Sequence, residues 1–276
     1  MSASDGIYYA LGNTDAEHER LIRQAAILAP LTERLFRQAG IGPGQRVLDL
    51  GSGVGDVAMM AARVVGSSGR VVAVERDSRS IARARTRVAD AGCENVSFTE
   101  CDLRQLPANQ PFDAVVGRFI LQFLSDPVVG LQSVCQLVRP GGIVAFHEPC
   151  WTPILPLAAN LPLWSACASL VRESLERSGG NTEMGLALHR VFRQAGLPAP
   201  ILQLEIPVGD NIAATQWIYD LVCTLLPQMQ QLNLPLEKLG KPDTLLKRIR
   251  AEAETSKNPI PCVALVGAWC RIGISA

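Results

Sequence analysis

The sequence predicts an α/β protein with a parallel β-sheet that helices cover on both faces. Short runs rich in β-branched residues alternate with helical segments between residues 46 and 148, which is the pattern of strand–helix–strand units. The runs are largely apolar instead of alternating with polar residues, as expected for strands buried on both faces. A glycine-rich turn directly follows the first run, where sheets of this kind commonly bind a ligand.

The chain opens with a helical pattern over residues 14–40. Apolar residues recur there at helical spacing on both sides of Pro30. Because proline lacks a backbone N–H and clashes with the preceding helical turn, we predict two helices broken at Pro30. The sequence GIGPG at 40–44 ends the second helix.

Five strands are predicted next, at residues 46–50, 70–75, 95–100, 112–117 and 142–148. Two of the helices between them show a clear apolar face. Residues 78–91 form one, with Gly92 as its left-handed cap, and residues 127–138 form another that RPGG stops.

After residue 148 the alternation of strands and helices is lost. Proline-interrupted helices are predicted at 151–195, a strand at 201–208, more helix at 211–255 and a last strand at 261–270. Together with the N-terminal helices, these segments are long enough to form a lid over the carboxyl edge of the sheet.

Composition narrows the class of partner. The 26 lysine and arginine residues balance 26 aspartate and glutamate residues, so no overall field attracts nucleic acid or an anionic membrane. No apolar run reaches the ~20 residues of a membrane span, and the N-terminus does not resemble a secretion signal, so we predict a cytoplasmic protein. The eight cysteines include no C-x-x-C pair, which favours reduced core cysteines and predicts no metal site.

The turn after the first strand has glycines at 51, 53 and 55. Glycine permits a positive φ and lets a ligand touch the main chain, while the following helix offers unpaired N–H groups. Dinucleotide sites use G-x-G-x-x-G, whereas this turn reads G-x-G-x-G.

Acidic residues follow three strands, at Asp49, Glu75 and Asp102. Each of them alone is more typical of a helix cap or a solvated charge. Together they favour a cationic ligand over a pyrophosphate, whose charge they would repel. A carboxylate such as Glu75 can accept both hydroxyls of a ribose.

Several motifs, in order, resemble one family over residues 41–148. They are VLDLGSGVGD, VVAVE, ECDLRQLP, FDAVVGRFILQFLSDP and LVRPGG, and they look like the successive signatures of class I S-adenosylmethionine-dependent methyltransferases. The head, YYALGNTDAEHERLIRQA, resembles a bacterial small-molecule subgroup. The resemblance implies a Rossmann-like seven-stranded sheet of order 3-2-1-4-5-7-6 with the last strand antiparallel, and a helical lid.

The resemblance also implies the cofactor S-adenosylmethionine and a role for particular residues. The main chain of the turn, at Gly51, Ser52 and Gly53, approaches the methionine part, beside Arg118. Asp49 anchors the turn and the ammonium group, and Glu75 holds the ribose. The adenine is flanked by Arg76 and met at its edge by Asp102 and Leu103.

Four segments follow from this interpretation. We expect an N-terminal helical lid segment at 1–40, a cofactor-binding core at 41–150 and a lid insertion with a crossover helix at 151–200. The terminal strand pair lies in 201–276, with a helical insertion at 211–258.

Methyl transfer from a sulfonium is a direct displacement, so alignment of the reactants is the main task and a base is optional. The best base candidates are His147 and Glu148 at the end of the fifth strand, and strand alternation is expected to point one of them toward the pocket. Tyr9, with Tyr8, is a candidate for closing the site. Arg20 and Gln24 share a helix face and are further candidates for contact with the cofactor.

Aromatic residues in the lid regions, Trp151, Trp164, Trp217 and Tyr219, are either pocket walls or plain core. Two other functions stay open: an NAD-dependent oxidoreductase, and a cofactor-binding protein without catalysis. The predicted partner is a small-molecule methyl acceptor and not nucleic acid or a membrane. The sequence allows a homodimer.

Overall fold

The computed structural model describes residues 11–102, 110–209 and 211–273. Its strands are β1 (Arg46–Leu50), β2 (Arg70–Glu75), β3 (Val96–Glu100), β4 (Phe112–Arg118), β5 (Val138–Cys150), β6 (Ile201–Glu205) and β7 (Ala264–Arg271). They form a seven-stranded sheet of order β3-β2-β1-β4-β5-β7-β6. β7 is antiparallel to both of its neighbours, and the other pairs are parallel. The predicted fold class and strand order are confirmed.

Helices precede, connect and follow these strands. They are α1 (Asp15–Ala39), α2 (Asp56–Val65), α3 (Ser78–Asp90), α4 (Pro127–Cys135), α5 (Ile154–Leu157), α6 (Pro162–Arg177), α7 (Met184–Gln194), α8 (Asn211–Gln231) and α9 (Leu245–Ser256). Short 3-10 helices lie at Leu121–Phe123, Leu236–Leu239 and Pro242–Thr244.

Both faces of the sheet are buried, as the apolar strands predict. Val47 and Leu48 are neighbours on β1 and each is 0 % exposed, yet they belong to different apolar clusters. Val47 packs in the cluster that contains Phe36 of α1 and Met60 of α2. Leu48 belongs to the larger cluster that contains Trp164 of α6. Successive residues of a strand point to opposite faces, so each face has its own core.

The predicted break at Pro30 is wrong, because α1 is one continuous helix. Pro30 lies within it on the exposed side, where the proline ring meets solvent. The residues on either side, Leu28 and Leu31, are buried, and their packing outweighs the lost backbone hydrogen bond. The helix ends where predicted, with Gly40 as its left-handed cap.

The boundary between α4 and β5 also differs from the prediction. The helix ends at Cys135 and the strand begins at Val138, so the RPGG sequence belongs to the strand. Val138 pairs with Phe112, and the register shifts between Phe112 and Ala114. A bulge of this kind absorbs extra residues in a strand, which lets the proline and glycines continue it.

Helices from distant parts of the chain lie together above the carboxyl edge of the sheet. α6 packs against α8, and α8 packs against α1. Arg23 of α1 also pairs with Asp220 of α8 at 2.8 Å. The four-segment division of the chain stays a prediction.

The composition also leads to expectations about the cysteines and about membrane-spanning helices. All eight cysteines are free, and Cys150, Cys167, Cys262 and Cys270 are buried. No helix in the described ranges combines the length and the apolar character that crossing a membrane requires.

Candidate active site

The turn between β1 and α2 leaves the main chain bare. Gly51 and Gly53 have φ angles of 62° and 51°, in the left-handed region that favours glycine. A Cβ on Gly51 would lie 2.5 Å from Cδ1 of Ile120, and one on Gly53 would lie 3.8 Å from Cδ1 of Leu21 in α1. The turn therefore sits against both the segment after β4 and the N-terminal helix.

A cavity of about 180 Å³ opens at this turn. The strand ends supply one wall, which includes seven of the predicted cofactor residues: Gly51, Ser52, Gly53, Glu75, Arg76, Asp102 and Arg118. The helices above supply the other wall, which includes Arg20, Leu21 and Gln24 of α1 and Trp217 and Leu221 of α8. The carboxyl ends of the strands and the helical layer thus enclose one space.

Glu75 is fixed at the cavity wall by backbone donors. Its Oε2 accepts from the N–H of Gly53 at 2.9 Å. Its Oε1 accepts from the N–H groups of Arg76 at 2.8 Å and Asp77 at 3.1 Å. Since carboxylate oxygens have further lone pairs, the group can still accept hydroxyls from a ligand. Glu100, its register partner on β3, is exposed and away from the cavity.

Asp49 lies behind the turn, is 1 % exposed and is not among the residues that line the cavity. Neither carboxylate oxygen has a hydrogen-bond partner among the described residues, and neither does Oγ of the neighbouring Ser52. Burial raises the pKa of Asp49 well above its usual range, and Arg118 opposes this shift while Glu75 adds to it. A buried acid without partners is costly, so this position is suited to a cationic ligand group.

Thr32 of α1 joins two residues at the ends of β4 and β5. Its hydroxyl donates to the carbonyl of Leu28 at 3.2 Å and accepts from Arg118 at 3.2 Å. Nδ1 of His147 also lies 3.2 Å from this oxygen. The tautomer of the imidazole decides whether Nδ1 donates to this oxygen or accepts from it. Burial, aided by Arg118, lowers the pKa of His147 to about 3, so the ring is neutral.

Glu148 holds the backbone of the segment after β4. Its Oε1 accepts from the N–H groups of Ile120 at 2.9 Å and Leu121 at 2.8 Å, and its Oε2 accepts from that of Gln122 at 3.3 Å. Burial raises its pKa to about 8, although the three backbone donors oppose this. The side chain is 0 % exposed and caps a turn whose own side chains line the cavity.

The expectation that His147 or Glu148 points into the pocket is not met. Both are buried and neither lines the cavity. β5 lies between β4 and β7, so alternation directs its side chains to two faces that are both covered. Tyr8, Tyr9 and Leu103 lie outside the described residues. Within those residues no three His, Cys, Asp or Glu side chains are grouped to hold a metal.

The helical wall contains a hydrogen-bonded chain of side chains that runs from α1 to α8. Glu17 binds Arg20 through two contacts of 2.6 Å. Arg20 donates to Oε1 of Gln24 at 2.8 Å, and Nε1 of Trp217 donates to the same oxygen at 3.1 Å. The sequence indicates Arg20 and Gln24 only through their shared helix face, because Trp217 is far away in the chain.

A family model described as a methyltransferase domain matches residues 41–196. This span includes the glycine turn and all of β1 to β5. The chain belongs to this methyltransferase family. The resemblance to class I S-adenosylmethionine-dependent methyltransferases is thereby confirmed, and with it the cofactor of that class. An NAD-dependent oxidoreductase finds no support.

Curated relatives match somewhat less than half of the chain. A ubiquinone/menaquinone biosynthesis C-methyltransferase UbiE of Cellvibrio japonicus is 33 % identical over 116 residues, which cover 40 % of this chain and 47 % of the relative. The protein of the same name in Coxiella burnetii is 34 % identical over 130 residues, or 46 % of this chain and 52 % of the relative. The chain thus spans about half the length of the curated relatives it matches.

Solved structures agree on the fold. The YcgJ protein of Bacillus subtilis superposes with a TM-score of 0.56 at 16 % identity, over 87 % of this chain and 97 % of that one. A phosphoethanolamine N-methyltransferase 2 of Haemonchus contortus gives a TM-score of 0.50 at 17 % identity, over 87 % of this chain and 51 % of that one. At these identities the likeness shows the fold alone.

Proposed function

We propose that this chain transfers a methyl group from S-adenosylmethionine to a small-molecule acceptor. The observation that carries the proposal is the cavity itself, which joins a bare glycine turn and strand-end acids to an apolar helical wall. A cofactor on the first wall and an acceptor on the second would meet in one enclosed space.

The residues present fit this cofactor. Asp49 is a buried acid without a partner among the described residues, and it would balance the ammonium group of the methionine part. Arg118, which lines the cavity, would face the carboxylate of the same part. Glu75 would accept the ribose hydroxyls, and Arg76 and Asp102 would flank the adenine.

When bound, the cofactor supplies an electrophilic methyl group on a positively charged sulfur. The protein's contribution is to align an acceptor with that methyl and to exclude water. Orientation of this kind can lower a barrier by roughly 7 to 11 kcal/mol. Leu21 of α1 reaches the glycine turn, so α1 would close the space above the cofactor. We attribute catalysis to this alignment. His147 would help to position Arg118 through Thr32, and Glu148 would position the segment after β4.

The acceptor is proposed to be small. Balanced charge supports a small molecule over nucleic acid, which basic surfaces attract. The relatives are named as C-methyltransferases of ubiquinone and menaquinone biosynthesis, so carbon acceptors on oxygen-bearing rings are the first class to assay. A homodimer stays a prediction.

Calorimetric titration with S-adenosylhomocysteine tests the cofactor site, and Glu75→Ala is the decisive variant. We expect it to weaken binding at least about thirtyfold, because hydrogen bonds to a charged group contribute roughly 1.5 to 3 kcal/mol each. Glu100→Ala removes the acid beside it on β3, which is exposed and outside the cavity.

The control variant is expected to bind like wild type. Equal affinity in Glu75→Ala and wild type would refute the ribose assignment. Tight binding of NAD with no binding of S-adenosylhomocysteine would refute the proposed function. Saturable cofactor binding without methyl transfer to any acceptor would favour the cofactor-binding protein without catalysis.

A further inference from the structure

The amide of Gln24 has a fixed orientation. Its Oε1 lies 2.8 Å from Nη1 of Arg20 and 3.1 Å from Nε1 of Trp217. Arginine and the indole N–H are donors and never acceptors. The oxygen of the amide must therefore face both of them, and the NH₂ group takes the opposite branch. The hydrogen-bond network decides this orientation, so the amide cannot be flipped without losing two bonds.

The same network holds Gln24 rigidly. Arg20 is clamped by both oxygens of Glu17, and Arg20 and Glu17 are 2 % and 0 % exposed. Trp217 is buried on α8. Gln24 lines the cavity, and within the described ranges no residue accepts a hydrogen bond from its NH₂ group. A preorganised donor thus stands in the helical wall.

Around this donor the wall is apolar and aromatic. The rings of Trp151 and Trp217 lie 5.8 Å apart with an angle of 31° between their planes, and both line the cavity. Phe123, Leu175 and Leu221 line it as well. Flat indole faces and aliphatic side chains favour a flat apolar molecule.

The carboxylates of the cavity belong to the other wall. Of the described lining residues, Asp56, Glu75 and Asp102 are the acids, and all three come from the strand-end turns. The helical wall offers Arg20 and Gln24 as polar groups, and the acids of α1 and α8 beside it, Glu17 and Asp220, are paired with Arg20 and Arg23. An ammonium group on the acceptor would find no counter-charge here.

We propose that the acceptor is a flat apolar molecule whose ring oxygen accepts a hydrogen bond from the Gln24 amide, and that the site discriminates against amines. This rests on the proposed function and names its substrate class. Trp217 acts as a positioning residue, since its N–H sets which way the amide points. An oxygen on the ring can accept a hydrogen bond from the Gln24 NH₂ group. A protonated amine at the same position is itself a donor, so it cannot accept that bond.

Three probes of one shape test the proposal on protein loaded with S-adenosylhomocysteine. They are 1-tetralone, tetralin and protonated 1-aminotetralin, compared by ligand-observed NMR titration. We expect 1-tetralone to bind roughly three- to tenfold more tightly than tetralin, the usual gain from one hydrogen bond. The amine should bind most weakly of the three.

Gln24→Glu replaces the donor with a carboxylate oxygen while keeping the oxygen that Arg20 and Trp217 bind. It should abolish the preference for 1-tetralone, and titration with S-adenosylhomocysteine shows whether the cofactor site of the variant is still formed. Trp217→Phe keeps a ring but frees the amide, so the preference should shrink while tetralin still binds. Gln38→Glu makes the same chemical change at an exposed position of α1 and should alter nothing.

Thermal melts show whether each variant is folded. If Gln24→Glu does not fold, Trp217→Phe still tests whether the orientation of the amide sets the preference for 1-tetralone. Equal binding of 1-tetralone and tetralin, strongest binding of the amine, or no binding of any probe would overturn the inference. So would an unchanged preference in Gln24→Glu. In each case binding of S-adenosylhomocysteine by wild type leaves the proposed function standing, and its absence counts against that function.

Discussion

Asp49→Asn is expected to weaken the binding of S-adenosylhomocysteine by at least about thirtyfold at neutral pH, while the free protein stays as stable as wild type or becomes more stable. The carboxylate is buried and has no hydrogen-bond partner among the described residues. A bound ammonium group would supply the missing counter-charge. Removing one member of such a buried charged pair costs about 2 kcal/mol or more, whereas asparagine fills the same space without charge.

The contribution of Asp49 to the stability of the free protein depends on pH, and its direction follows from the shift of its pKa. The pKa of Asp49 is raised in the folded free protein, so the folded state binds this proton more tightly than the unfolded state does. Its contribution to stability is present below the ordinary carboxyl pKa of about 4 and is lost as the pH rises toward the raised folded value. The melting temperature of Asp49→Asn should therefore gain on wild type between pH 5 and pH 8. The cofactor affinity of wild type should rise over the same range, because a cation favours the ionised acid.

Asp113→Asn is the matched control. This residue accepts from Arg46 and Arg139 and lies at the start of β4, at the opposite edge of the sheet from the glycine turn. Although burial acts in the opposite direction, these partners lower its pKa. The variant should lose stability and keep its cofactor affinity, the reverse of Asp49→Asn. Unchanged calorimetric affinity in Asp49→Asn would exclude a role for this acid in binding the cofactor.

The local sequence pattern is sufficient to predict those parts of the site that lie within one turn or at the end of one strand. Gly51 and Gly53 need a backbone conformation that their own residue type permits, and Glu75 ends a strand whose length its apolar run sets. The sheet brings such strand ends together by its parallel pairing. Gly51, Gly53 and Glu75 could therefore be predicted as parts of the strand-end wall from the residues themselves, whereas Arg76 and Arg118 follow only from the resemblance to the family, and the contacts of all five with the cofactor stay predictions.

The helical wall could not be predicted in this way. The contact between Gln24 and Trp217 joins positions 193 apart in the chain, and nothing near either residue encodes it. The position of Pro30 within α1 depends likewise on packing on both sides of it, which outweighs a local preference. The alternation of side chains along β5 assigns His147 and Glu148 to opposite faces of the sheet. It does not show whether other elements cover those faces.

Glu148→Ala is expected to lower the melting temperature by on the order of 10 °C. It would leave three backbone N–H groups without their acceptor: those of Leu121 and Gln122, which are buried, and that of Ile120, which is partly buried. Breaking a buried arrangement of this kind costs about 3 to 5 kcal/mol. Glu100→Ala, at an exposed strand end, should change the melting temperature little. Differential scanning calorimetry on the full chain measures both.

Glu148→Gln separates a capping role from a catalytic one, because the amide oxygen can still accept from Ile120 and Leu121. If the side chain caps the turn, this variant keeps most of its turnover and loses part of its stability. If it is a base, turnover falls at least a hundredfold while the melting temperature stays the same.

The pH dependence of the melting temperature is a second test of the role of Glu148. The folded pKa of about 8 exceeds the ordinary glutamate value of about 4.3, so this group stabilises the fold at low pH and the contribution fades as the pH rises toward 8. Wild type should then lose melting temperature relative to Glu148→Gln between pH 5 and pH 8, and a constant difference would mean that Glu148 is ionised throughout as a cap of fixed charge.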